Sequence, residues 1–186
     1  MAVSKAISTA KRKLTEEEFL RLPDDGRKYE LVDGKAREVP TGFEHDAIGA
    51  IIVAMLMPHA KGHGFVTIAQ AGFRMADGNI RCPDVSFTRK ERLPEGKPPK
   101  GFADLAPDLA VEIISPNEDA ADVFRKLGEY FASGSQFVWI LQPETCQVTV
   151  YRSLMDAHTL GPEDTLSAGD LLPGFKVQVS ELFAIE

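Results

Sequence analysis

Two carboxylates stand inside apolar, strand-like runs: Asp84 in Arg81-Cys82-Pro83-Asp84-Val85-Ser86-Phe87, and Glu112 in Leu109-Ala110-Val111-Glu112-Ile113-Ile114. Taking an ionised carboxylate out of water costs on the order of several kcal/mol even after relaxation, so a chain that buries two implies a cation for both. Oxygen-only ligands suit a hard divalent metal, Mg2+ or Mn2+, and Mg2+ takes one or two protein carboxylates while keeping its other positions for water and phosphate. That is the chemistry of metal-assisted phosphodiester hydrolysis. The metal binds a nonbridging oxygen and a water, and a nearby lysine orients the water or offsets the developing charge. Asp84, Glu112 and Lys126 suit these roles, and Glu30 on a separate hairpin is suited to the metal's outer shell or its waters.

Each residue also has a plainer reading. Asp84 can accept backbone hydrogen bonds after Pro83, and Glu112 can pair with an arginine such as Arg81. Lys126 can snorkel at the border of a helix stripe. Glu30 can pair with a lysine across its hairpin. His45 at a helix start can contact phosphate or simply be a polar residue at a terminus, and Tyr130 and Trp139 read as core aromatics.

The elements that must position these groups are legible. Thr15-Glu16-Glu17-Glu18 has capping-box spacing and starts a short helix. Asp33-Gly34 between Tyr29-Glu30-Leu31-Val32 and Lys35-Ala36-Arg37-Glu38-Val39 is a hairpin turn. Ile48, Ile51, Ile52, Met55, Leu56 and His59 recur at helical spacing over about 44–60. Phe65 to Met75 and Ile80 to Thr88 read as two strands around Asp77-Gly78, followed by a loop from Lys90 to Pro107. Leu109 to Ile114 reads as a central strand. Ser115-Pro116-Asn117-Glu118 predicts a helix start, with Gly134 as its stop and Ala120, Val123, Phe124, Leu127, Tyr130 and Phe131 as its apolar stripe. That helix leaves the Glu112 strand, so Lys126 can return over the strand's carboxylate end. A hairpin across Pro143-Glu144-Thr145-Cys146 follows. The pattern predicts an α/β fold with a mixed sheet between helices.

With 186 residues and 44% hydrophobic content the chain suits one domain. The expected division is a flexible basic arm over residues 1–14 and a single domain over 15–186. The longest apolar run, Ala47 to Met57, falls short of the roughly 20 residues a bilayer requires. The amino terminus lacks the apolar core of a secretory signal, and two cysteines without metal-type spacing suggest neither a disulfide framework nor a zinc site. A soluble, cytoplasmic protein is expected. The formal charge of −7 counts against a broad phosphate-binding surface, although a bound divalent cation inverts the field a phosphate meets.

Taken in order, Tyr29-Glu30-Leu31-Val32-Asp33-Gly34, His45, Pro83-Asp84-Val85, Val111-Glu112-Ile113-Ile114-Ser115-Pro116, Lys126-Leu127 with Tyr130, Trp139-Ile140 and Leu172-Pro173-Gly174-Phe175 resemble the Uma-type endonuclease family of the PD-(D/E)XK nuclease superfamily. The resemblance spans roughly residues 15–183. It implies a restriction-endonuclease-like mixed β-sheet flanked by helices, hydrolysis of DNA with Mg2+ or Mn2+, and a homodimer. It further implies metal binding at Asp84, Glu112 and the Ile113 carbonyl, with Glu30 and Lys126 assisting. The superfamily's lysine two residues after the glutamate is absent, because that position is Ile114. Lys126 on the following helix matches its replacement in this family. The alternatives are a nuclease-fold module that binds nucleic acid or protein without cutting, and a hydrolase of smaller phosphate esters.

Overall fold

A computed structural model describes residues 12–23, 25–39, 42–115 and 118–185. The capping box closes as expected: Thr15 Oγ1 accepts from the Glu18 amide and the Glu18 carboxylate from the Thr15 amide, starting α1 (Glu16–Leu20). Most of the expected arm over 1–14 lies outside the described residues, and Leu14 N donates to Gly34 O at 2.7 Å. Asp33 and Gly34 take φ of 53° and 75°. That left-handed pair closes β1 (Lys28–Val32) on β2 (Lys35–Val39) in a two-residue turn.

Helix α2 (Phe43–Ala60) buries Ile48, Ile52, Leu56 and Ala60, a stripe repeating every fourth residue. Next come β3 (Gly64–Ile68), β4 (Phe73–Arg74), β5 (Ile80–Arg81) and β6 (Val85–Arg89). Here the two expected long strands are corrected: each is broken, and its halves join different sheets. β3 pairs with β6, whereas β4 pairs with β5, which also bridges to β1. Pro83 supplies the physical reason on one side, because it has no amide for a ladder. The chain leaves the smaller sheet at Arg81 and enters the larger at Val85, and Asp84 stands at that break.

The loop after β6 leads into β7 (Leu109–Ile113), buried along its whole length. α3 (Ala120–Ala132) then crosses over to β8 (Phe137–Gln142), which lies parallel to β7. β9 (Gln147–Ser153), β10 (Asp156–Leu160), β11 (Thr165–Ser167) and β12 (Lys176–Gln178) complete the chain. The larger sheet runs β10-β9-β8-β7-β6-β3, the smaller β2-β1-β5-β4, and β11 pairs with β12. Val111 and Ile113 pack with α2 through Ile48, Ile52 and Leu56, while Ala110 packs with Leu127 and Tyr130 of α3. The expected mixed sheet between helices is the fold observed.

Two expectations about α3 are corrected. It starts at Ala120, not after Ser115, because Asp119 is the residue that caps it, accepting from the Ala121 amide. Residues 116 and 117 lie outside the described set. Its inward face carries Lys126, Leu127, Glu129 and Tyr130, whereas Phe124, assigned to the apolar stripe, is 61% exposed. The helix is rotated to turn charge inward, which is sustainable only where buried partners await it. Cys82 is a buried free thiol and Cys146 a half-buried one. Among the described residues no helix is long and apolar enough to cross a membrane.

Candidate active site

The antiparallel pairing of Val85 with Val111 carries Asp84 to a place opposite Glu112. Asp84 Oδ2 accepts the Ile113 amide at 2.9 Å and lies 3.1 Å from His45 Nε2, while Oδ1 lies 3.1 Å from Lys28 Nζ. Glu112 Oε2 accepts from Lys126 Nζ at 2.7 Å and Oε1 from the Tyr130 hydroxyl at 2.6 Å. Lys126 Nζ also reaches Glu118 Oε1 at 3.3 Å. Sequence-distant elements therefore converge on two carboxylates: β1, the first turn of α2, the β5–β6 break, β7 and α3.

Local geometry explains each contribution. Lys28 and Glu30 alternate onto one face of β1. Lys126 and Tyr130, four apart on α3, stand one turn above the other and grip the two oxygens of one carboxylate. Leu127 lies beside them in the core between α3 and the sheet. His45 enters because α2 begins at Phe43, directly over the β6 end.

Burial disfavours the charged form of Asp84, but the hydrogen bond from His45, the Lys28 and His45 charges and the Ile113 amide outweigh it and bring its pKa down to about 2. Glu112 moves the other way: burial, with the negative fields of Asp84 and Glu30, raises it against the pull of Lys126. Burial also opposes the Lys126 ammonium, yet Glu112, Glu30 and Glu118 together raise its pKa. His45 is raised by its hydrogen bond to Asp84, against burial. Tyr130 is pushed far up by burial and by Glu112, so it remains a donor.

A cleft of about 330 Å3 has Glu30, His45, Asp84, Glu112 and Lys126 in its wall. Among the described residues no cluster of three or more His, Cys, Asp or Glu side chains is arranged to hold a metal ion. Asp84 and Glu112 would offer such an ion two carboxylates. That number, and the hardness of oxygen, match what Mg2+ takes from a protein.

The family model described as "Uma2: Putative restriction endonuclease" matches residues 16–180. The chain belongs to the Uma2 family. A solved structure described as a putative nuclease belonging to DUF820, from Anabaena variabilis ATCC 29413, aligns with a TM-score of 0.81 at 22% identity, covering 92% of this chain and 98% of that one. At that identity the likeness establishes a shared fold. No curated protein matches the chain.

In this Uma2 chain the residues singled out from sequence meet at one place, but not all in the expected manner. Arg81 does not bridge to Glu112. Its guanidinium is bound by Glu129 through Nε and Nη2 and by Glu30 Oε2 at 2.7 Å through Nη1. Glu30 finds no lysine across its hairpin; its other oxygen accepts the Cys82 amide at 2.9 Å. Glu30 therefore braces the strand that delivers Asp84. Ile113 touches Asp84 through its amide. Tyr130 is core, as expected, but its hydroxyl belongs to the site.

Lys28, Glu118 and Glu129 were not foreseen as participants. Lys28 carried a faint signal, since it stands two residues before Glu30 and so shares its strand face. Glu129 carried one in its separation of three from Lys126, which puts both on neighbouring turns of one helix.

Proposed function

We propose that this chain is a divalent-metal-dependent endonuclease that hydrolyses DNA phosphodiester bonds. The observation that carries the reading is the juxtaposition of Asp84, at the β5–β6 break, and Glu112, on β7, both buried in the wall of a cleft, with Lys126 Nζ 2.7 Å from Glu112. Membership of the Uma2 family supports it. Asp84, Glu112 and the Ile113 carbonyl would hold Mg2+ or Mn2+, which when bound polarises a nonbridging phosphate oxygen and lowers the pKa of a water.

The protein's own groups do the rest. Lys126, kept cationic by three surrounding carboxylates, orients the attacking water and offsets charge developing on phosphate. Tyr130 fixes the rotamer of Glu112. Arg81, Glu30 and Glu129 hold strand and helix in register around both carboxylates. The family resemblance, and the two strands a duplex presents, support a homodimer as the working form, acting on DNA in the cytoplasm.

A non-cleaving nucleic-acid or protein-binding module is favoured by one observation: both oxygens of Asp84 and of Glu112 already have partners within the protein. Incubation of supercoiled plasmid and single-stranded DNA with Mg2+ or Mn2+ decides between the readings. Nicking that is lost in Asp84→Asn, Glu112→Gln and Lys126→Ala supports the nuclease. Undiminished DNA binding without cutting at any metal concentration supports the silent module.

A further inference from the structure

Lys28 lies 3.1 Å from Asp84 Oδ1, and both side chains are only 7% exposed. A lysine on a hairpin strand ordinarily lays its stem along the surface and leaves its ammonium in water. This one turns inward, which is costly unless a counter-charge is waiting. Asp84 Oδ2 is served by the Ile113 amide and His45, so Lys28 covers the remaining oxygen. In the ladder Lys28 pairs with Val39 and Glu30 with Arg37, so these four share one face, and Glu30, Arg37 and Val39 belong to the cleft wall. The ammonium and the cleft thus share one side of the hairpin.

We propose that Lys28 is the resident counter-ion of Asp84, and that a divalent cation binding at Asp84 displaces its ammonium toward the cleft. The inference rests on the reading of Asp84 and Glu112 as cation ligands. Two positive groups held on one carboxylate oxygen repel strongly at such separations in a poorly solvated site. An incoming ion must outcompete Lys28, and this acts as a filter on charge. A monovalent ion offers Asp84 no more charge than the ammonium already there, whereas a divalent ion offers twice as much. The released ammonium then stands beside the space a phosphate would fill, so cation and phosphate binding assist one another.

Calorimetric titration of DNA-free protein with Mn2+ tests this in the natural chain, Lys28→Met, Lys28→Arg and Asp84→Asn. Methionine keeps the length of the stem and removes the competing charge. Lys28→Met is expected to bind Mn2+ about tenfold more tightly, on the scale of measured close charge-pair couplings. Lys28→Arg should stay near the natural affinity, and Asp84→Asn should not bind. Natural protein that binds through Asp84 with no tightening in Lys28→Met overturns the displacement and leaves the cation site standing. Failure of natural protein and Lys28→Met alike to bind Mn2+ overturns both. Acetylation of Lys28 in the natural chain, followed by mass spectrometry, needs no variant: Mg2+ should accelerate its labelling, and an unchanged rate overturns the displacement.

Discussion

Lys126 Nζ meets Glu112 Oε2 at 2.7 Å although the two residues are fourteen apart in the chain and belong to a helix and a strand. A lysine on the same strand, two residues after Glu112, would serve this purpose from the position of Ile114. Here that position is apolar and half-buried, and the ammonium comes from the returning crossover helix. The strand therefore keeps an apolar residue where it leaves the sheet, and the charge is supplied from above.

Lys126→Met removes the cation from a carboxylate that stays buried. The expected loss is about 3–5 kcal/mol of stability, as for other broken buried pairs, together with loss of any cleavage by about 100-fold or more. Urea unfolding measures the first and plasmid nicking the second. Wild-type stability in this variant would show that Glu112 does not depend on Lys126.

Tyr130→Phe deletes the hydrogen bond to Glu112 Oε1 while leaving the ring in the core. A donor lost from a buried carboxyl acceptor should cost about 1–3 kcal/mol. Urea unfolding should show the shift at an unchanged slope. An accompanying change in Mn2+ affinity would report that the carboxylate has rotated.

Glu30 and Asp84 should respond differently to neutral isosteres. Glu30 is occupied by Arg81 and the Cys82 amide, so Glu30→Gln should lower stability by a few kcal/mol and leave Mn2+ affinity within about threefold. Asp84→Asn should abolish Mn2+ binding. Paired melting and calorimetry on both variants separate bracing from ligation, and loss of Mn2+ binding in Glu30→Gln would move Glu30 into the ligand set.

Acid should weaken the natural chain relative to Asp84→Asn. The pKa of Asp84 is depressed in the folded state from 3.8 to about 2. The ionised side chain therefore contributes stability above pH 3.8, and this contribution is lost as pH falls toward 2. The drop corresponds to about 2 kcal/mol. Denaturant curves for both proteins between pH 7 and pH 2 should converge at the acid end, and a difference that persists at pH 2 would assign it to packing rather than charge.

The elements were legible where they rested on local rules. Asp33-Gly34 announced a left-handed two-residue turn, Thr15 and Glu18 announced a capping box, and the repeat of Ile48, Ile52 and Leu56 announced the buried face of α2. Phe65–Met75 was misread because apolar alternation tells that a segment is extended, not which sheet will take each half. Phe124 was misassigned for a related reason: a helical stripe of apolar residues is the default, and only the buried partners of Lys126 and Glu129 reveal that α3 is turned away from it.

The sequence by itself determined that Asp84 and Glu112 would be buried, because they interrupt apolar strands, and which helix would carry a lysine back toward them; the burial of Glu129 and Asp108 came only with the fold. Only the tertiary structure decided the pairing: Lys28 with Asp84 across 56 residues, Arg81 with Glu30 across 51, and Lys126 and Tyr130 on the two oxygens of Glu112. Burial within an apolar strand follows from local composition, whereas an ion pair depends on separation in space and on the solvent removed around it. The fold sets both of these when it brings distant strands to one cleft.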